Sequence, residues 1–302
     1  LSHARIIVNP VAGAGRTARE WPRIRELLRG QGLRFEHDQT EAPGHAIELA
    51  EEATKKGYET IISVGGDGTI HEIVNGMYHG GGNVDISLGI VCTGTGSDYA
   101  RTFGISRCWE EACQRLIEPG RLKVDLGAIE YSDNGHRVER VFANFAGMGF
   151  DAEIVRRTSL TFKSLGSTLS YLLGVFTTLV SYRNREIELI IDGEETVQKV
   201  CAVVVNNGKY GGGGMFIAPD ANPSDGWLDL MIIGDIGKAD LLRSLPLVYK
   251  GKHGKHRKVH LRKAREVEIR SDLPLSLQAD GELLGRLPVR FRIIPAALNL
   301  IV

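Results

Sequence analysis

At 302 residues, 42% hydrophobic and 25% charged, the chain has room for one large domain or two ordinary ones and the composition of a globular protein. Lys+Arg and Asp+Glu balance at 37 each, so overall charge argues for no polyanionic partner and any electrostatic case must come from local clusters. The longest apolar run, 171–182, is about 12 residues against the roughly 20 that cross a bilayer, which leaves only peripheral membrane contact.

Four cysteines (Cys92, Cys108, Cys113, Cys201) lack C-x-x-C or Cys/His zinc spacing and read as reduced, mostly buried thiols of a cytosolic protein. Residues 1–5 lead straight into a strand, so no signal peptide is expected.

Residues 5–8 form an apolar first strand, broken by Asn9-Pro10-Val11-Ala12-Gly13-Ala14-Gly15. A helix of modest quality follows through Ile24, Leu27 and Leu28 to Gly30. Gly13-Ala14-Gly15-Arg16-Thr17-Ala18 fits G-x-G-x-x-A, with Glu36 and Asp38 a little over 20 residues on, as in a Rossmann dinucleotide site. Two features weaken that match: Asn9-Pro10 comes where the tight turn should already have begun, and Pro22 interrupts the expected helix. No Gly-Lys-Ser/Thr is present, so this is not a Walker A loop.

A second strand over 33–39 and a turn over 40–46 lead into an amphipathic helix at 45–56, with Ile47, Ala50 and Ala53 on one face and Gly57 as its stop. The third strand, 61–64, ends in Gly65-Gly66-Asp67-Gly68-Thr69, and Ile70, Ile73, Val74 and Met77 then recur at helical spacing. Strand, glycine turn and helix N-terminus together make a phosphate-binding geometry, because backbone approaches closely and the first helical N–H groups point outward. Asp67 would repel a bare phosphate there, and suits a metal, a hydroxyl or a water beside the phosphates. A fourth strand, 87–91, runs into a second acidic glycine turn, Gly94-Thr95-Gly96-Ser97-Asp98, with Arg101 following. Parallel strands expose their C-terminal turns on one edge, so these three turns are expected to line one crevice.

A helix over 109–117 ends at Pro119-Gly120, where the composition shifts. Strands are expected at 122–130, 137–145, 185–192, 197–206, 227–233, 258–263, 266–271, 274–279 and 289–294, with hairpin signals at Asp133-Asn134-Gly135 and Asp192-Gly193. Helical patches are expected at 151–182 and 238–249. The second part therefore reads as a largely antiparallel β domain beginning near residue 120.

Asn206-Asn207-Gly208-Lys209-Tyr210 precedes four glycines, Gly211, Gly212, Gly213 and Gly214, a run that suits close approach or mobility. Asp220, Asn222, Asp225 and Asp229 make an oxygen-rich turn that fits either a hard cation or an ordinary Asx turn. Asp280-Gly281-Glu282 ends a strand with two carboxylates, as a hairpin or as a catalytic pair. Residues 250–265 hold eight Lys/Arg, three His and no acid, a solvated face or a contact for an anionic leaflet.

Together these pieces resemble the bacterial diacylglycerol kinase family, lipid kinases whose catalytic domain shares its GGDGT signature with sphingosine kinases and NAD kinases. The resemblance covers essentially the whole chain. It rests on Asn9-Pro10-x-x-Gly13, Gly65-Gly66-Asp67-Gly68-Thr69, Gly94-Thr95-Gly96-Ser97-Asp98, Gly212-Gly213-Gly214-Met215 with Pro219, Asp225-Gly226 and Asp280-Gly281-Glu282. The family usually has Asn at the position of Ser97, and some relatives carry a lysine at the position of Ala14; Arg16 is the nearest replacement for that lysine.

The resemblance implies an α/β nucleotide-binding domain over 1–120, parallel-sheet and NAD kinase-like, with a tail at 296–302 packing back on it. A largely antiparallel β-sandwich domain for the lipid follows over 121–295. ATP would lie across Asn9, Pro10, Val11, Ala12, Gly13, Thr40, Gly65, Gly66, Asp67, Gly68, Thr69, Glu72, Thr95 and Asp98, with Arg101 near the transferred phosphate. Asp67 and Asp98 would organise catalytic Mg2+. Asp280 or Glu282 would be the general base, a choice the sequence leaves open, and the chemistry would sit in an interdomain cleft. A structural Mg2+ would use Asn222, Asp225 and Trp227.

The implied reaction is phosphorylation of diacylglycerol to phosphatidic acid by a cytoplasmic enzyme touching an anionic membrane peripherally, with the lipid entering beside 171–182 and the basic run. The competing acceptors are sphingoid bases, ceramide, polyprenol and phosphatidylglycerol. NAD kinase and a non-catalytic nucleotide-binding regulator are more distant readings. No nucleic-acid partner is expected, since the basic run lacks interleaved aromatics; a homodimer is among the assemblies the sequence allows.

Overall fold

The computed structural model describes residues 3–81, 85–133, 135–161, 174, 175 and 177–302. The chain divides into two units, Leu1–Leu126 with Pro295–Val302, and Gly127–Ile294.

In the first unit, β1 (His3–Val8), β2 (Arg34–Gln39), β3 (Thr60–Gly65) and β4 (Ser87–Cys92) lie in the order β2-β1-β3-β4. Every pairing among them is parallel, with Ile6 opposite His37 and Ile62, and Ile62 opposite Gly89. All six residues of β3 and of β4 are buried, which is why their sequences are near-continuous apolar runs, broken only by the small hydroxyls of Thr60, Ser63 and Ser87, rather than alternating ones. The last strand of the chain returns to this unit, where Asn299 and Leu300 pair parallel to Ser87 and Leu88.

Helices α1 (Ala12–Gly30), α2 (His45–Lys55), α3 (Asp67–His79), α4 (Asp98–Thr102) and α5 (Trp109–Ile117) complete the unit. Trp21, Ile24 and Leu28 of α1 and Ala112, Cys113 and Leu116 of α5 share a core with Ile6, Val8, Ile62 and Val64. This face explains a departure from the sequence reading: Pro22 does not interrupt α1 but lies inside it. Proline has a helical φ and forfeits one backbone hydrogen bond; burial of Trp21, Ile24 and Leu28 around it offsets that loss.

The second unit contains β5 (Arg121–Asp133, which begins in the first unit), β6 (His136–Phe142), β7 (Phe145–Gly149), β8 (Arg185–Ile191), β9 (Glu194–Asn206), β10 (Leu228–Gly234), β11 (Val259–Ala264), β12 (Glu266–Arg270), β13 (Ser276–Ala279) and β14 (Glu282–Ile301, which ends in the first unit). The pairings β5–β6, β7–β9, β7–β13, β8–β9, β8–β12, β9–β10, β10–β11, β12–β14 and β13–β14 are all antiparallel. One core joins Ile129, Phe142, Met148, Leu189, Val203, Leu230, Val267, Leu277 and Phe291. Helix α6 (Phe150–Thr161) follows β7, and helix α7 (Lys238–Tyr249) occupies the predicted 238–249 patch.

Two sequence expectations are corrected in this unit. The strand expected at 137–145 is two, β6 pairing with β5, and β7 pairing with β9 and β13. The strand expected at 289–294 is the 20-residue β14. Pro288 and Pro295 concealed its length, because a residue that donates no N–H to a ladder ordinarily ends a strand. Asn134 of the first hairpin signal, and 171–173 and 176 of the proposed lipid-entry run, lie outside the described residues. Among the described residues no helix is long and apolar enough to cross a membrane.

Candidate active site

In the first unit the turns after β1, β3 and β4 meet at the C-terminal edge of the sheet. Asn9 donates through Nδ2 to Thr69 Oγ1 at 3.0 Å and accepts from the Val11 N–H at 3.2 Å, so the first turn is tied to the GGDGT turn. Thr17 and Thr93 share a buried 2.5 Å hydroxyl contact, which ties it to the third. The backbones touch: a Cβ on Gly94 would lie 2.4 Å from Gly66 Cα, and one on Gly13 would lie 2.3 Å from the Thr93 carbonyl oxygen. Gly13 also sits at φ +59°, where an L side chain is strained. These glycines permit three main chains to converge. A cavity of about 240 Å³, lined by Val8, Pro10, Trp21, Pro22 and Gln39 among others, lies beside the first turn.

Gly66 precedes α3 with no side-chain cap, so the first N–H groups of that helix are not taken up by a capping side chain. Asp67, in the first turn, accepts from the Tyr99 N–H at 3.0 Å through Oδ1. Its Oδ2 lies 2.7 Å from where a Gly96 Cβ would be, and Asp98 Oδ2 lies 3.8 Å from that same point. The two carboxylates therefore converge on the second glycine turn. Asp98 is 5% exposed, with the Arg101 guanidinium 3.9 Å from Oδ1. Arg16 reaches the Gly94 carbonyl at 3.5 Å, which places a cation in this turn despite Ala14.

The remaining predicted positions are more peripheral. Thr40 follows β2 and is half-buried, its N–H bonded to Val8 O. Thr95 is exposed, its carbonyl accepting from Arg107 at 3.2 Å. Pro10 and Ala12 are half-buried on either side of Val11, which is 76% exposed at the lip of the first turn. Glu72 accepts from the Gly44 and Ala46 N–H groups, both at 3.0 Å, and so caps α2. Asp125, which belongs to no sequence motif, is buried and accepts from the Ala296 N–H at 2.7 Å.

In the second unit the late carboxylates differ sharply. Asp280 sits at φ +48° and accepts three main-chain N–H groups: Ala143 on Oδ2 at 2.8 Å, and Asn144 and Phe145 on Oδ1 at 3.0 and 2.9 Å. Those bonds fall where the expected 137–145 strand divides, and they account for the division. Asn207 donates to the Ala143 carbonyl at 2.9 Å, and Asn144 donates to the Tyr210 carbonyl at 2.6 Å. The glycine run at 211–214 continues from this hub as a tight turn closed by Gly211 and Met215. Glu282 opens β14 opposite Ala279 and is half-buried.

Behind this turn, fully buried Gln278 accepts from the Gly281 N–H and donates to Asp151 Oδ2, both at 3.0 Å. Burial pushes the Asp151 carboxyl up to about 6, against the opposing pull of the Gln278 amide and local backbone N–H groups. None of Asn144, Asn207, Gln278 and Asp151 is among the predicted site residues, although Asn207 stands in the segment that leads into the glycine run. Their partners lie far off in sequence, so only the buried-polar rule could have flagged them, and only with burial known.

In the oxygen-rich turn, Asn222 Oδ1 accepts from Ser224 N–H, while Asp225 Oδ1 accepts from Trp227 N–H at 3.1 Å. The Lys263 ammonium stands 2.7 Å from Asp225 Oδ2 and 3.2 Å from Asp229 Oδ2. Among the described residues no group of three or more His, Cys, Asp or Glu side chains could hold a metal.

Residues 3–129 match the diacylglycerol kinase catalytic domain, and residues 144–302 match the YegS C-terminal NAD kinase beta sandwich-like domain. The chain is 30% identical over 294 residues to a protein of Bacillus subtilis (strain 168) named diacylglycerol kinase, covering 96% of this chain and 93% of that one. It is also 30% identical over 288 residues to the protein of that name from Staphylococcus aureus (strain MRSA252), covering 95% and 88%. Two crystal structures from Bacillus anthracis str. Sterne, 24% and 21% identical, share the fold with TM-scores of 0.77 and 0.73, each covering 99% of this chain and 96% of the other.

Proposed function

Because the chain belongs to the bacterial diacylglycerol kinase family and is a phosphotransferase with lipid kinase activity, we propose that it phosphorylates the hydroxyl of diacylglycerol with ATP, giving phosphatidic acid and ADP. The observation that carries the mechanism is that main-chain N–H groups hold Asp280 on both carboxylate oxygens. Asp280 has both oxygens engaged by three backbone N–H groups, whereas Glu282 is half-buried at the strand start. A carboxylate clamping main chain is poorly placed to accept a proton, so Glu282 is the general base and Asp280 holds the turn that presents it.

The glycine turns and the α3 N-terminus bind the ATP phosphates through backbone N–H groups. Arg101 and Arg16 add positive charge at the second acidic turn. Asn9 and Thr69 keep the first two turns in register. Asp67 and Asp98, two carboxylates converging on one glycine turn, fit a hard cation, and Mg2+ bound there would neutralise charge on the phosphate oxygens. The lipid oxygen bonds to the γ-phosphorus as the bond to the β–γ bridging oxygen breaks, and Glu282 takes the hydroxyl proton. As arranged, the Asn222–Asp225–Trp227 turn does not fit a second Mg2+, because Lys263 would have to withdraw from Asp225; no step rests on it.

The same reading places the enzyme in the cytoplasm, acting on its acceptor at a membrane surface. The test is ADP release from ATP and Mg2+ with diacylglycerol, a sphingoid base, phosphatidylglycerol and NAD offered separately in detergent micelles. Turnover with diacylglycerol supports the proposal. Turnover with another lipid alone would change the acceptor, and turnover with NAD alone would contradict the reading.

A further inference from the structure

The inner side of α7 is packed: Leu241 and Leu245 lie against the core of Phe150, Ile154, Val175 and Leu179, and Ser244 is buried. Its outer side is apolar as well. Ala239, Leu242, Pro246 and Tyr249 recur at helical spacing and are all exposed, Leu242 by 47% and Tyr249 by 50%. A surface helix normally turns charge outward, so an apolar stripe there requires an account.

The charge around the stripe is one-sided. Residues 238–258 contain seven Lys/Arg and a single acid, Asp240, whose carboxylate faces His256 Nε2 at 3.2 Å. Arg243, Lys250, Lys252, Lys255 and Arg257 are exposed and have no carboxylate partner among the described residues. On the neighbouring sheet the pattern is the opposite: Arg262 pairs with Glu194, Lys263 with Asp225 and Asp229, and Arg270 with Glu188 and Glu268. These three cations of β11 and β12 are compensated, whereas, among the described residues, the five around α7 are not.

We propose that the outer face of α7, with the cationic segment that follows it, docks this protein on a bilayer of anionic phospholipid. An apolar stripe flanked by Lys and Arg lies in the plane of the interface, its side chains among the acyl chains and its cations at the headgroups. The choice of a bilayer over another anionic surface rests on the lipid kinase reading. The helix holds no residue of the proposed chemistry, so docking and turnover separate experimentally.

The experiment is co-sedimentation of the full chain with vesicles of equal parts phosphatidylcholine and phosphatidylglycerol, and with phosphatidylcholine alone, without ATP. The wild-type chain should bind the anionic vesicles, bind the neutral ones weakly, and release as salt rises. Leu242→Ser/Tyr249→Ser, and separately Arg243→Gln/Lys250→Gln/Lys252→Gln, should each weaken binding on the order of tenfold or more with melting temperature unchanged. The Leu242→Ser/Tyr249→Ser variant should keep wild-type turnover on a short-chain, water-dispersed diacylglycerol. Loss of vesicle binding with turnover intact supports docking by α7, whatever the acceptor proves to be; no turnover in any protein, with vesicle binding still lost in the variants, contradicts only the catalytic reading. Variants that bind like wild type would overturn the inference. So would equal binding to neutral vesicles, or a dimer that the Leu242→Ser/Tyr249→Ser change dissociates.

Discussion

The two groups of candidate residues are built on opposite plans. In the first unit, backbone makes the site: three turns at the ends of parallel strands approach until Gly66 and Gly94, and Gly13 and Thr93, are in contact, and side chains serve as ties between them. In the second unit, side chains make the site: Asp280, Asn207 and Gln278 seize the main chain of antiparallel strands and hold a turn in place. The first plan suits a polyanion, which backbone N–H groups recognise. The second suits one proton acceptor in a fixed orientation.

Substitutions can break this contrast in graded steps. Asp67→Ala should abolish turnover in a protein that still folds, because it removes one of two converging carboxylates; near-normal activity would displace the site. Glu282→Gln should reduce kcat about 10²- to 10⁴-fold with an unchanged melting temperature, the span for loss of a general base. Asp280→Asn should act differently, leaving at least one of three N–H groups without an acceptor and costing about 1–3 kcal/mol of stability in chemical denaturation. A stable but inactive Asp280→Asn beside an active Glu282→Gln would exchange the two roles.

Gly94→Ala should weaken nucleotide binding, seen by calorimetry, since its Cβ would have to displace Gly66. An equivalent substitution at Gly68, where a Cβ meets nothing within 4 Å, should perturb the turn less by steric contact.

The smallest effect concerns Asp151. Its carboxyl is raised by burial from 3.8 to about 6, so between those values the folded protein binds more protons than the unfolded chain. This group therefore favours the folded state at the acid end of that window, and its contribution is lost as pH rises through about 6. Asp151→Asn, which keeps an oxygen acceptor for Gln278, should remove that dependence. The melting-temperature difference between variant and wild type should grow in the variant's favour from pH 4 to 6; a constant difference would contradict it.

The contrast also explains what was legible in the sequence. Backbone sites announce themselves, since the glycines that allow close approach must sit at fixed spacing after a strand; hence the turns at Gly65–Thr69 and Gly94–Asp98 could be read directly. Side-chain clamps do not. Nothing local shows that Asp280 binds amides 135–137 residues earlier, or that Glu72 caps a helix 26–28 residues earlier. The sequence therefore leaves the choice between Asp280 and Glu282 open. The strand pattern of the second unit was read for most strands, but β14 was shortened because prolines ordinarily end strands. The apolar outer face of α7 lay within a correctly placed helix, yet an apolar residue on a helix does not say which side it faces.

The central claim is that this chain moves phosphate from ATP to diacylglycerol with Glu282 as the base. It is tested most directly by following γ-labelled ATP into phosphatidic acid, in parallel for the wild-type chain and Glu282→Gln. The account predicts labelled phosphatidic acid from the wild type and a loss of at least about a hundredfold in the variant. Equal labelling in the two would contradict the assignment of the base, and no labelled lipid from the wild type would contradict the reaction.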